Sequence, residues 1–164
     1  MALEHRITAA APSCYLTTFE RLMATIGPQD VEQNIFGQIA TGMDHPDYIT
    51  MRAPSPVLVC SATRDFFDIT GTWSAFREAK RTFSRLGFSG SVDIVESDSE
   101  HGYNTILREA TARWMRQWLL NDFEWLRERD FPLPASEDLR CSPEGQVIKM
   151  PGARSMADLN IERG

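Results

Sequence analysis

The chain has 164 residues, 42% of them apolar, with charges of both signs interspersed and a formal net charge of −6. That size and mixture suit a globular body, either one domain or part of a larger one, and argue against disorder. The acidic balance argues against a nucleic-acid partner, which needs clustered Lys and Arg, and no apolar run is long enough to span a membrane.

The segment Met1 to Arg6 is too short and too charged for a signal peptide, so the residues leave localisation open. Cys14, Cys60 and Cys141 are odd in number and lack metal-type spacing, which reads as free thiols. Arg6 to Ala11 is short and β-capable and stops at Pro12, predicting a strand. Asp30 to Ala40 carries Val31, Ile35 and Ile39 four apart behind Pro28, predicting a short helix. Asp44 to Arg52 reads as a brief helix or turn. Pro56 to Ala62 is an apolar run of buried-strand type. Thr72 to Leu86 places Trp73, Phe76, Phe83 and Leu86 on one stripe, with Gly87 to close the helix. Ser91 to Glu96 reads as another strand. Asn104 to Leu120 is the clearest helix, with Leu107, Ala110, Trp114 and Trp118 on its apolar face.

This alternation predicts an α/β fold of about three parallel strands joined by crossover helices. Beyond Asn121 the texture changes. Phe131-Pro132-Leu133-Pro134 reads as a linker, and Ser142-Pro143-Glu144-Gly145 suits a type I turn within a small hairpin from Leu139 to Met150. The expected division is a partial sheet domain over residues 1–128, then linker, hairpin and tail over 129–164.

Chemistry in parallel sheets gathers at the carboxyl ends of strands. Asp65 follows the strand ending at Ala62, in Ala62-Thr63-Arg64-Asp65-Phe66-Phe67-Asp68. There it would hold a histidine in one tautomer, or simply turn the loop. Asp68 is the rival acid, closer to the next helix, where capping suffices. His101, in Glu100-His101-Gly102-Tyr103, follows the last strand and is the candidate general base. His5 and His45 have no such setting, and His45 reads as a turn residue at a helix entry.

A nucleophile is harder to find. The Gly-x-Ser-x-Gly turn that exposes a serine hydroxyl is absent. Gly87-Phe88-Ser89-Gly90-Ser91 comes after Asp65 and opens a strand rather than closing one. Ser13 and Cys14 follow a strand but lack flanking glycines, and Tyr15 would crowd the turn. No phosphate loop and no metal-ligand spacing is present, so no cofactor and no metal is expected. Phe66 and Tyr103 are candidate substrate-binding aromatics. Tyr15 and Phe67 read as packing, the commoner role, and only Phe66 is favoured for the site itself.

The segments Ile7-Thr8-Ala9-Ala10-Ala11-Pro12-Ser13-Cys14-Tyr15, Ile26-Gly27-Pro28-Gln29-Asp30, Ala62 to Phe67 and His101-Gly102-Tyr103 resemble the serine α/β-hydrolases, in their acetyl xylan esterase-like branch. Arg108-Glu109-Ala110 with Trp114-Met115, and Pro151-Gly152-Ala153-Arg154-Ser155, extend the resemblance over nearly the whole chain. It implies Asp65 as catalytic acid and His101 as catalytic base of a Ser-Asp-His triad. It also implies that the chain is the C-terminal portion of the fold, with the nucleophile elbow and oxyanion donors on a missing N-terminal half. The implied activity is carboxyl-ester hydrolysis on a small acyl ester or acetylated carbohydrate, with the chain alone inactive. The alternatives are part of a prolyl-oligopeptidase-type serine peptidase, or a non-catalytic α/β interaction module.

Overall fold

All six residues of β1 (Val57–Ala62) are buried, so it is the strand around which the layers form. The computed structural model describes residues 1–27, 29–30 and 33–164, in two units, Met1–Glu128 and Arg129–Gly164. In the first unit β1 pairs in parallel with β2 (Val92–Ser97), from Val57 opposite Val92 to Ala62 opposite Ser97. The third predicted strand is shorter than expected. Ala10 and Ser13 form isolated parallel bridges to Val57 and Cys60 on the other side of β1. Pro12 has no N–H to offer, and only its carbonyl pairs, accepting from Cys60 N–H at 2.9 Å.

Strand alternation divides the core into two layers. Val57, Val59 and Val92 pack with Ile49, Phe76, Ala79 and Phe83, facing α2 (His45–Thr50) and α3 (Ile69–Arg85). Leu58, Cys60 and Ala62 face the other way, onto Leu107 and Trp114 of α4 (Thr105–Leu120). A sheet covered on both faces explains why β1 reads as an unbroken apolar run. The helices begin at polar caps: Asp44 caps α2, Asp68 caps α3 and Asn104 caps α4. The N-terminus of α3 lies hard against the chain at Thr17 and Thr18. A Cβ on Gly71 would stand 2.1 Å from Thr17 Oγ1, so only glycine fits there. Gly87, at φ +84°, closes α3 as expected.

Two sequence expectations fail. The predicted helix from Asp30 to Ala40 is not formed by the described residues, and Pro28 and Val31 lie outside them. Among the described residues Gln33 and Ile39–Thr41 take 3-10 form, the latter after α1 (Phe19–Thr25), and Ile35 and Ile39 face solvent. Asn34 explains part of this, since its Nδ2 donates to the carbonyls of Gln29 and Asp30 and ties the backbone into a loop. Gly37 and Gly42, both at positive φ, fix the turns around it. In the second unit the turn at Ser142–Gly145 closes with a 3.0 Å bond, but no hairpin forms from Leu139 to Met150. Val147–Lys149 turns as 3-10 helix instead, and the tail winds into α5 (Met156–Arg163) behind a Ser155/Asp158 capping box. Among the described residues, no helix is long and apolar enough to cross a membrane.

Candidate active site

Parallel pairing continues past the ends of β1 and β2 and binds their two exit loops together. Thr63 N–H donates to Ser97 O at 2.9 Å, and Arg64 N–H to Ser99 O at 3.0 Å. Asn104 fastens the second loop from below. Its Nδ2 donates to the hydroxyls of Ser97 and Ser99, both at 2.8 Å, while its Oδ1 caps α4. Asp65 sits on the first loop and His101 on the second.

His101 Nδ1 lies 3.0 Å from both carboxylate oxygens of Asp65. The Asp65 side chain is only 2% exposed, and its Oδ1 also accepts from Phe67 N–H at 3.0 Å. A carboxylate accepts, so in the neutral imidazole the ring proton sits on Nδ1 and Nε2 is the nitrogen able to accept a proton. Among the described residues Nε2 makes no hydrogen bond. Phe66 stacks on the imidazole at 4.3 Å and 26°, fixing the ring plane. His101 lines a cleft of about 500 Å³ with Ser13, Cys14, Gln29, Phe66 and Phe67.

Asp68 stands elsewhere. It caps α3 and is gripped by Arg21, Nε to Oδ1 at 3.0 Å and Nη2 to Oδ2 at 2.9 Å. The Arg21 guanidinium holds its carboxyl below the usual carboxylate range. Tyr103 is not among the residues lining the cleft; its ring is half-exposed and its carbonyl is taken by Arg108. Phe67, read from the sequence as packing, lines the cleft and also packs against Tyr15.

Cys14 occupies the end of the first strand line in a left-handed conformation, φ +51°, which few non-glycine residues adopt. Its thiol donates to Gly102 O at 3.4 Å, tethering the His101 loop from the opposite side. Donor atoms of Cys14, Asp65 and His101 lie within 4.8 Å of one another. The carboxylate is committed to the imidazole and the thiol to the Gly102 carbonyl, so each of these groups already has a protein partner. Burial pushes the Cys14 thiol up, away from thiolate.

Sequence reasoning missed two residues here. His45 does open a helix, as read, but it is more than a turn residue: its ring is fully buried, stacked on Tyr15 at 4.9 Å, with Nδ1 accepting from Thr17 N–H at 3.2 Å. Gln29 joins it, its Oε1 3.3 Å from His45 Nε2. The capping-box spacing of Asp44 and Asp47 was a signal that His45 opens a helix, but nothing local announced the aromatic cage around it.

A parallel sheet carrying an acid and then a histidine on successive strand ends is the arrangement of the α/β-hydrolases. This chain has that fold, and three solved esterase structures superpose on it. The methylesterase BT1017 superposes with TM-score 0.58 at 21% identity, over 71% of this chain and 26% of that one. A carbohydrate esterase family 15 glucuronoyl esterase from Caldicellulosiruptor kristjansonii gives TM-score 0.60 at 14% identity, over 81% and 43%. The glucuronoyl esterase catalytic domain Cip2_GE from Hypocrea jecorina gives 0.58 at 14%, over 86% and 46%. The chain thus spans between a quarter and a half of the length of these structures, and the likeness is one of fold. No family model matches the chain, and no curated protein matches it significantly by sequence.

Proposed function

We propose that this chain carries the acid and base of a serine-type carboxyl-ester hydrolase, of the acetyl xylan esterase-like kind, acting on small acyl esters. The observation that carries this is the orientation of His101, with Nδ1 held by buried Asp65 and Nε2 unpaired. In the reaction Nε2 takes the proton of a serine hydroxyl as its oxygen attacks the acyl carbonyl. His101 then returns that proton to the leaving alkoxide, and water repeats the cycle on the acyl-enzyme. Asp65 stabilises the imidazolium throughout. Among the described residues no serine hydroxyl is hydrogen-bonded to Nε2, and on this reading the serine is supplied by a separate segment.

The test is hydrolysis of 4-nitrophenyl acetate by the chain alone and by the chain expressed with its upstream reading frame. The longer protein is expected to turn over and the shorter one to be inert. Asp65→Asn should then cost about 10⁴ in kcat, and His101→Ala at least as much. Activity that survives both substitutions, or a longer protein that cleaves peptides and not esters, rejects the assignment. So does an upstream frame without a serine elbow, which would leave a non-catalytic module.

A further inference from the structure

Asp65 meets the imidazole of His101 at its edge, through Nδ1, and leaves the ring faces to other neighbours. Phe66 lies over one face, with centroids 4.3 Å apart and planes 26° from parallel. Phe67 stands farther off, at 6.1 Å and tilted by 40°. A neutral imidazole gains from such a stack the contact of two aromatic surfaces. An imidazolium gains more, because a phenyl face carries the negative part of its quadrupole and attracts a cation within about 6 Å of its centre. The stack therefore favours the protonated ring, the form a general base must pass through. The Asp65 carboxylate favours the same form from the edge, so the two neighbours act at different positions on one ring.

The loop that places Asp65 also places Phe66. Asp65 Oδ1 accepts from the Phe67 N–H at 3.0 Å, a side-chain turn that fixes the peptide between them. Burial does not account for the position of Phe66, which is 47% exposed, whereas Phe67 is buried. We propose that Phe66 is a positioning residue for the His101 base, holding the imidazole plane and stabilising the imidazolium by a cation–π contact. This rests on the acid–base reading of Asp65 and His101, and it gives Phe66 a task separate from contact with substrate. The titratable groups around the imidazole are Asp65 on the β1 exit loop, the Cys14 thiol on the first strand line, Asp30 across the cleft and Glu100 beside it in the chain. A substitution at Phe66 alters none of them.

The test is a pH titration of the histidine ring signals of the 164-residue chain by NMR. His5, whose side chain is 94% exposed, is the internal reference, and the buried His45 ring reports that each variant is folded. In wild type the ring current of Phe66 should displace the His101 ring protons upfield. Phe66→Leu should remove that displacement and lower the pH midpoint of His101 by about half a unit, roughly a threefold loss of proton affinity. Phe66→Trp, a stronger cation–π face, should hold the midpoint or raise it. Asp65→Asn should lower it further than Phe66→Leu does. A Phe66→Leu midpoint equal to that of wild type would mean that the stack has no effect on charge, and would overturn the proposal. A midpoint that rises in Phe66→Leu, or falls in Phe66→Trp, would overturn it too, since the ring would then act by keeping water from the imidazolium. An undisplaced wild-type signal would remove the stack itself. Those outcomes leave the Asp65–His101 pair standing. A midpoint indifferent to Asp65→Asn would instead remove the acid–base reading, and the proposal with it.

Discussion

At neutral pH His45 is an uncharged ring held by two hydrogen bonds and three aromatic neighbours, Tyr15, Phe19 and Tyr48. Desolvation pushes its pKa below the ordinary imidazole value of ~6.5. The unfolded chain then binds more protons than the folded one as pH falls below ~6.5, and stability drops in the same direction. Unfolding in urea is expected to become easier between about pH 6.5 and the depressed folded value, with a flat region above it. His45→Gln should flatten that slope. His45→Phe, which strands the buried Thr17 N–H, should cost about 1–3 kcal/mol at pH 7. A pH profile unchanged by His45→Gln would refute the assignment. His45 was illegible in the sequence for a physical reason: apart from Tyr48, its partners are 16, 26, 28 and 30 positions away, and only the fold brings them together. Asp65 and His101 were legible because each follows a short run of strand character, fully buried before Asp65 and half-exposed before His101, and strand ends in parallel sheets share one edge.

Among the elements, the strands and long helices followed their periodicity, and the errors came where side chains compete for the backbone. The residues of β1 sit in two apolar layers, so no polar alternation was needed to define it. The stretch from Asp30 to Ala40 has helical spacing of Ile and Val, yet Asn34 and two positive-φ glycines take the backbone elsewhere. The turn at Ser142–Gly145 has β-branched Val147 and Ile148 on one side only; Leu139, Arg140 and Cys141 on the other offer them no β-branched partner. At the start of α3 one carboxylate has three tasks: Asp68 accepts from Gly71 N–H and pairs with Arg21 through two bonds, joining α1 to α3. Asp68→Ala should therefore destabilise by about 1–2 kcal/mol from the lost cap alone. Because the folded pKa of Asp68 is depressed, its contribution is present above the ordinary value of ~3.9 and is lost as pH falls through the folded value. Urea melts of wild type and Asp68→Ala should converge in acid; a constant gap between them at all pH values would mean the charge is not what matters.

For the first unit taken whole, the two margins of its sheet differ in how they meet water. On β2 the outward side carries charge, and Asp93 Oδ1 accepts from the Ile94 N–H at 2.9 Å, so the margin is partly self-capped. On the other margin the backbone bonds of Ala10, Pro12 and Cys14 all go to β1 or to Pro56 just before it. The alternate residues Ala9, Ala11 and Ser13 make no backbone hydrogen bond among the described residues. Their side chains are small and uncharged, and no lysine or proline faces outward at those three positions to discourage another strand. In the proposed enzyme this margin is where polypeptide bearing the serine would pair, placing a hydroxyl on the same side of the sheet as Asp65 and His101. Expressed by itself, the chain is expected to self-associate with rising concentration, seen by light scattering on size-exclusion chromatography. Ala11→Lys should lower that tendency at some cost to the melting transition, since Ala11 packs against the Leu58, Leu107 and Trp114 cluster. A chain that stays monodisperse and monomeric at high concentration, with one cooperative melt, would show that the margin is already satisfied and would remove the structural reason for a strand to dock there.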